Sequence, residues 1–240
     1  LSEHNYRQMV SKIKEFGFIS MCTPFDEKSV DTILHHKFDI LKIASCSFSD
    51  WPLLEKSASS GLPIIASTAG ATLETIDQVI LFFKNRGINF AIQHCVGEYP
   101  TEVSKMNLNQ LDFLQNRYPD VRFGFSTHED PSNTDIAKIA IAKGATILEK
   151  HVGVETKTIK LNKYSNTSEQ MEKTIDEIQL IQSALRGTSS VEEESLLKLK
   201  RGAYLKNNLM IGDKITKSNI YYAMPVQDGQ FNASNIESFL

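Results

Sequence analysis

The sequence has 240 residues, of which 41% are hydrophobic and 23% are charged, and this size suits one globular domain with a small appendage. The formal net charge of -3 offers no basic surface to nucleic acid, and no apolar run is long enough to cross a membrane. Three widely spaced cysteines, Cys22, Cys46 and Cys95, indicate a reducing, cytoplasmic location and argue against a disulfide framework.

The amino-terminal residues predict a helix that ends before the first strand. Ser2 can cap this helix, Val10 and Phe16 lie on its apolar face, and Gly17 follows it. The first residues lack an initiator Met and the charged and apolar regions of a signal peptide. We therefore expect the chain to be a fragment of a longer protein.

Short apolar runs that end in polar residues follow, separated by amphipathic segments. Such runs are typical of strands buried on both faces, and they cover residues 18–22, 40–44, 63–67, 90–94, 121–125 and 146–150. Capping signals mark helices between them: Thr72 can begin one helix, and Ser132 with Asp135 resembles a capping box for another. Thr167 with Gln170 opens the last long helix.

This alternation of strands and helices predicts a parallel sheet. Right-handed crossovers allow either an open doubly wound sheet or a closed barrel. No glycine-rich dinucleotide fingerprint follows any strand, and polar residues stand at the carboxyl end of nearly every one. Both features favour an α/β barrel, in which all strand ends converge on one mouth.

The chain is predicted to have three parts. Residues 1–187 form the barrel portion, and the polar, charged residues 188–202 form a linker. Residues 203–240 form a second, small β unit with short strands around the turn at Gly212 and Asp213.

The polar residues at the strand ends are the candidate site residues. If they converge on one mouth, their hydroxyls, lysine and backbone N–H form a cradle for a phosphate or a carboxylate. They are Thr23, Lys42, Ser45, Ser67, Gly97, Tyr99, Ser126, His128, Glu149 and His151.

His128 and His151 are the pair among them that gives the most specific functional indication. They follow strands that are adjacent in sequence and therefore neighbours in most parallel sheets. Two imidazoles that approach one ion suit a divalent metal with open positions. The alternative is two hydrogen-bonded histidines at a barrel rim. His94 is interpreted as a packed or hydrogen-bonded side chain, and His36 as a surface residue at a helix end.

Six motifs in a fixed order carry a family resemblance over residues 2–187. Their order and separation are similar to those of the sialic acid synthase (N-acetylneuraminate synthase) family. The motifs are Cys22-Thr23-Pro24-Phe25-Asp26, Leu41-Lys42-Ile43-Ala44-Ser45, Ile65-Ala66-Ser67-Thr68, His94-Cys95 with Tyr99-Pro100-Thr101, Ser126-Thr127-His128, and Glu149-Lys150-His151.

The resemblance implies a (β/α)8 barrel of the TIM type whose first two strands are missing from this chain. A weaker similarity over residues 201–225 implies that residues 203–240 are the start of an antifreeze-like (SAF) domain. In the family this domain covers the barrel mouth of a partner subunit, which implies a homodimer with swapped carboxyl-terminal domains.

The resemblance also implies the reaction: phosphoenolpyruvate condenses with an N-acylated amino sugar aldehyde to give a sialic acid-like nonulosonic acid and phosphate. Positions matching Thr23, Lys42, Ser45 and Ser126 hold phosphoenolpyruvate, and Gly97 would contribute through its backbone. Positions matching His128 and His151 bind Mn2+ or Mg2+. Lys42, His128 and His151 are therefore the expected catalytic residues, with Ser67, Tyr99 and Glu149 as further substrate contacts.

Several departures from the family pattern touch the sugar side of the site. Thr127 stands where an acidic residue is expected, Ser47 replaces a glutamate, and Met224 replaces an arginine. Residues 156–162 replace a Pro-Gly-Pro-Asp stretch. We hypothesise a different sugar acceptor, and we expect this chain alone to be an incomplete catalyst. The alternative is a non-catalytic or inactive barrel fragment that serves in sugar binding or subunit association.

Overall fold

Alternating strands and helices build the first 185 residues of the chain. The computed structural model describes residues 2–187, 196 and 199–240, and the chain divides into two units, Leu1–Leu185 and Arg186–Leu240. The predicted linker at 188–202 falls largely outside the described residues.

Within the described residues, six parallel strands form one sheet, and their spatial order follows the chain order. The strands are β1 (Met21–Cys22), β2 (Ile40–Ile43), β3 (Ile64–Ser67), β4 (Phe90–Cys95), β5 (Arg122–Ser126) and β6 (Leu148–Glu149). This parallel half-barrel confirms the α/β class. The complete eight-stranded barrel and the antifreeze-like identity of the second unit stay predictions.

A helix lies between each pair of successive strands, one further helix precedes β1, and another follows β6. They are α1 (Glu3–Glu15), α2 (Glu27–His35), α3 (Trp51–Ser59), α4 (Leu73–Asn85), α5 (Asn109–Arg117), α6 (Asp135–Ala142) and α7 (Ser168–Arg186). The core lies between sheet and helices: α4 buries Ile76, Val79, Ile80 and Phe83 in the cluster that contains Leu41 and Ile92. Apolar side chains spaced three and four residues apart explain this burial.

Three of the predicted caps agree with the structure. Ser2 accepts a hydrogen bond from the Asn5 N–H at the start of α1, and Thr72 accepts one from the Thr75 N–H at the start of α4. Thr167 and Gln170 bond each other reciprocally before α7. The predicted box at Ser132 is wrong, because Ser132 bonds the Asp130 carboxylate and α6 begins after Thr134.

The first predicted strand is shorter than expected and is not buried on both faces. Phe18 and Ile19 are 70% and 71% exposed, and strand pairing begins at Met21. The reason is position, since β1 is an edge strand that pairs with β2 on one side. His36 corrects the prediction in the opposite direction: it is buried and stacks on the ring of Tyr6.

The second unit contains a two-stranded antiparallel sheet among its described residues. Its strands are β7 (Gly202–Leu205) and β8 (Ile220–Ala223), which pair Gly202 with Ala223. The predicted turn exists, with Asp213 N–H bonded to Met210 O and Gly212 at a φ of 101°. However, it lies inside the long connection 206–219 and does not join two strands directly.

None of the described helices is long and apolar enough to cross a membrane. The expected cytoplasmic location and the expected homodimer stay predictions.

Candidate functional site

A cavity of about 600 Å³ lies at the carboxyl ends of the strands. Parallel strands present their carboxyl ends at the same edge, and in barrels this edge carries the active site. Every candidate side chain from the sequence lines this cavity: Thr23, Lys42, Ser45, Ser67, Tyr99, Ser126, His128, Glu149 and His151. Gly97 does not, and lines a neighbouring cavity of about 310 Å³ together with Lys105 and Asn107.

Lys42 is the buried cation of the cavity. Its Nζ donates a 2.7 Å hydrogen bond to Ser67 Oγ and a 3.2 Å bond to Ile43 O. Ser67 Oγ in turn donates to Gln93 Oε1 at 3.1 Å, which fixes the direction of the serine hydroxyl. Burial lowers the pKa of Lys42 below its usual value, and the nearby Glu149 charge opposes that shift.

Glu149 contacts both Lys42 and Ser126, and Ser126 lies on the fifth strand. Its Oε2 atom lies 3.6 Å from Lys42 Nζ, and its Oε1 atom accepts a 3.0 Å hydrogen bond from Ser126 Oγ. β5 and β6 place Ser126 directly beside Glu149, which brings these side chains together. An incoming anion would therefore meet a cation whose charge is only partly neutralised by a carboxylate 3.6 Å away.

Serine and threonine hydroxyls line the cavity that contains Lys42. Ser45 Oγ accepts a 3.1 Å hydrogen bond from the Ala69 N–H, which fixes the position of its hydroxyl at the cavity. Ser126 and Thr23 line the same cavity from the fifth and the first strand. Hydroxyls beside a buried ammonium group are suited to a phosphate or a carboxylate.

The two imidazoles lie side by side, with ring centroids 5.3 Å apart. Burial, reinforced by repulsion from His151, lowers the pKa of His128, so the neutral ring is favoured at neutral pH. His128 Nδ1 is buried and finds no hydrogen-bond partner in the described part of the chain. A neutral imidazole with a free nitrogen is the form that binds metals.

These features fit a divalent cation that takes two protein ligands. No group of three His, Cys, Asp or Glu side chains that can hold a metal occurs among residues 2–187, 196 and 199–240. Water or substrate oxygens would therefore have to supply the other positions, as Mg2+ and Mn2+ commonly allow.

Aromatic rings crowd the imidazoles at the mouth of the cavity. The Tyr99 ring lies 4.2 Å from the His128 ring, measured between centroids. The Tyr164 ring lies 5.0 Å from His151 and 5.8 Å from His128. Tyr164 lies two residues after the segment 156–162, which replaces the expected Pro-Gly-Pro-Asp stretch, so the chain that follows this segment contacts the imidazoles.

The sequence prediction missed several groups around the cavity. All three cysteines line it, and Cys46 is exposed. A buried ion pair between Lys150 and Glu129 lies behind the imidazoles. Strand parity offered a signal for this pair: residues next to His128 and His151 must point away from the cavity.

His94 lies where the sequence predicted a packed histidine. It is buried, its Nε2 atom lies 2.9 Å from Met106 O, and its ring stacks on Phe125. It lines the neighbouring cavity with Gly97 and takes no part in the cavity of Lys42.

A family model described as the NeuB family matches residues 1–190. The chain is 30% identical to N-acetylneuraminate-9-phosphate synthase of Drosophila melanogaster over 62% of this chain and 40% of that protein. It is 25% identical to N,N'-diacetyllegionaminic acid synthase of Campylobacter jejuni over 98% of this chain and 71% of that protein.

One solved structure has a similar fold over the full length of this chain. The crystal structure from Chromobacterium violaceum, assigned to spore coat polysaccharide biosynthesis protein E, superimposes with a TM-score of 0.91 and 40% identity. The alignment covers 100% of this chain and 73% of that one. Against the synthases of Drosophila melanogaster and mouse, this chain spans 40% and 51% of their length.

Proposed function

Because this chain belongs to the NeuB family, we propose that the protein it forms part of condenses phosphoenolpyruvate with an N-acylated amino sugar aldehyde. The products would be a nonulosonic acid and phosphate. The observation that carries this proposal is one cavity in which buried Lys42, a ring of hydroxyls and two imidazoles face each other.

The Lys42 side of the cavity would hold phosphoenolpyruvate. This substrate carries a phosphate and a carboxylate, and both need cations or hydrogen-bond donors when they leave water. Lys42 and Ser67 already share a 2.7 Å hydrogen bond, so their positions are fixed before the substrate arrives. Donors held in place in this way orient a reacting group without an entropic cost at the moment of reaction.

The imidazole side of the cavity would hold the divalent metal and the aldehyde. His128 and His151 would be its protein ligands. A bound Mn2+ or Mg2+ would supply Lewis-acid polarisation of the aldehyde oxygen. The two imidazoles and Lys42 line the same cavity, so the methylene carbon of phosphoenolpyruvate and the aldehyde carbon would meet between them.

The overall reaction balances with one water. A carbon–carbon bond forms between the methylene carbon of phosphoenolpyruvate and the aldehyde carbon, and the aldehyde oxygen becomes a hydroxyl by taking a proton that the water releases. The water oxygen adds at the carbon that carries the phosphate ester, and the bond from that carbon to the phosphate oxygen breaks. The cavity has an exposed aromatic rim, because Tyr99 is half-exposed at its mouth.

Product formation by the full-length protein tests this proposal. We would incubate it with phosphoenolpyruvate, Mn2+ and a panel of N-acyl amino sugars, and follow phosphate release and the new keto acid by mass spectrometry. Lys42→Met should weaken phosphoenolpyruvate binding by about tenfold to a hundredfold, as expected for loss of one charge-assisted hydrogen bond.

Lys28→Met is the matched control, because Lys28 is an exposed lysine on α2 that does not line the cavity. It should leave the phosphoenolpyruvate affinity unchanged. A full-length protein that binds no phosphoenolpyruvate and releases no phosphate with any sugar would contradict the proposal. It would leave the non-catalytic barrel as the better interpretation.

A further inference from the structure

A buried ion pair ties together the two segments that carry the imidazoles. Lys150 Nζ lies 2.5 Å from Glu129 Oε1, and the two side chains are 4% and 1% exposed. Thr127 Oγ1 donates a hydrogen bond to the other carboxylate oxygen of Glu129. Each member of this cluster is a direct or next neighbour in sequence of His128 or His151.

The cluster lies on the opposite side of these segments from the cavity. Ser126, His128, Glu149 and His151 line the cavity, whereas Glu129 does not. Successive residues of an extended chain point to opposite sides, which explains the division. The ion pair therefore supports the imidazoles from behind and cannot touch a ligand in the cavity.

Backbone pairing between the two segments ends just before the imidazoles. The bond from Thr127 N–H to Glu149 O is the last one that joins them among the described residues. Beyond it, His128 O accepts from the Thr101 N–H, and His151 O accepts from the Asn166 N–H. Each histidine segment is thus tied to a different loop, and the ion pair bridges the gap between them.

We propose that Lys150 and Glu129 are positioning residues that set the spacing of His128 and His151, and thereby the affinity of the site for a divalent cation. This inference rests on the proposed function, since the cation belongs to that site. Groups that hold metal ligands from behind change metal affinity by about tenfold to a hundredfold in other proteins.

Stability alone is a poor explanation of this pair. Apolar side chains of similar volume commonly replace a buried ion pair without loss of stability. An apolar contact is not directional, whereas a salt bridge with a second hydrogen bond fixes both a distance and an angle. A charged pair buried at this position is consistent with a need for fixed geometry.

The same contacts account for the unexpected Thr127. The family resemblance predicts a carboxylate at position 127, and this chain carries it two residues later, on the same side of the segment. The Glu129 carboxylate reaches back to accept a hydrogen bond from Thr127 Oγ1, so it occupies space next to the side chain at 127. Exchange of the two residue types should therefore return the carboxylate to Lys150.

Binding of Mn2+ alone to the full-length protein tests the inference. Free Mn2+ is measured by electron paramagnetic resonance, and folding is checked by thermal unfolding. Glu129→Gln should weaken Mn2+ binding by about tenfold to a hundredfold, whereas phosphoenolpyruvate binding without metal should change less than about threefold. The exchange variant, Thr127→Asp with Glu129→Thr, should recover Mn2+ affinity to within about threefold of the parent.

An apolar variant, Glu129→Leu with Lys150→Met, separates positioning from stability. It should fold as stably as the parent but still bind Mn2+ at least about tenfold more weakly. Lys143→Met is the control, since it breaks a 2.5 Å ion pair to Asp112 that is partly exposed and does not line the cavity. It should leave Mn2+ binding unchanged.

The inference would be overturned if the apolar variant bound Mn2+ as tightly as the parent protein. It would also be overturned if the exchange variant folded but did not recover the Mn2+ affinity of the parent protein. The two proposals fail in different ways. A parent that binds Mn2+ but makes no product overturns the proposed reaction and leaves this inference standing. A folded Glu129→Gln variant with parent-like Mn2+ affinity overturns this inference and leaves the reaction standing.

Discussion

At the scale of single residues, burial of His94 links the stability of the larger unit to pH. Burial lowers the pKa of His94, although the bond to Met106 O partly opposes the shift. A free histidine titrates near pH 6.5, so below that pH the unfolded chain binds a proton that the folded chain does not. The free energy of unfolding is therefore highest above the pKa of the unfolded chain, and it decreases as the pH falls below about 6.5.

We expect His94→Gln to reduce this acid sensitivity. At pH 7.5 the variant should be less stable by about 0.5–1.5 kcal/mol through altered hydrogen bonding. At pH 5 the difference should shrink or reverse, because glutamine does not titrate. Urea unfolding followed by fluorescence measures this, since Trp51 is the single tryptophan of the sequence and lies in the larger unit. A stability difference that is the same at both pH values would contradict the prediction.

Strand parity explains which site residues could be predicted from the sequence. Lys42, Ser67, Ser126 and Glu149 were found because they end buried strands, and parallel strands end at one edge. Glu129 and Lys150 were missed because a charged residue in a loop ordinarily faces water. Strand parity indicates that both side chains point away from the cavity, but their contact with each other depends on the proximity of two segments 21 residues apart.

At the scale of elements, the contact between β5 and β6 depends on Gly124. A methyl group at this position would lie 2.7 Å from Ile147 O and 2.8 Å from Ile147 Cβ. Backbone atoms cannot move aside as the end of a flexible side chain can. Glycine is therefore required by close approach of the next strand segment, which carries Glu149 and His151.

We expect Gly124→Ala to destabilise the larger unit by about 1–3 kcal/mol, the usual cost of overpacking. It should also weaken Mn2+ binding, because β6 would be displaced from β5. Gly97→Ala is the control for stability: a methyl group there meets Ala69 Cβ at 3.5 Å, an ordinary contact. Urea unfolding compares the two, and equal stability of both variants would show that the crowding at Gly124 is relieved at no cost.

Element boundaries were predictable where a side chain caps the backbone. Ser2, Thr72 and Thr167 begin helices because each hydroxyl accepts a hydrogen bond from a free N–H of the first turn. Ser132 had the same local pattern but bonds Asp130 instead. The competing carboxylate two residues earlier decided the outcome, which a search for Ser with an acid three residues later overlooks.

At the scale of the whole molecule, the two edge strands of the larger sheet are shorter than the strands between them. Within the described residues, β1 and β6 each pair on one side and contain two residues each. The number of strands in a complete barrel could not be predicted from local patterns alone. It came from the family resemblance, because alternating strands and helices suit an open sheet as well as a closed one.

The β1 edge should cause self-association of this 240-residue chain when it is produced alone. Exposed Phe18 and Ile19, together with Pro63, line an apolar cavity of about 630 Å³ next to an edge whose backbone groups can pair with a second copy. Phe18→Lys with Ile19→Lys should therefore shift the chain towards the monomer, measured by analytical ultracentrifugation over a range of concentrations. Leu180→Lys is the control, because Leu180 is 69% exposed, much like Ile19, but lies on α7, which follows β6 in the chain and does not line the cavity at Phe18. Association that is unchanged in the double variant, or equally reduced in the control, would show that the edge is not the contact.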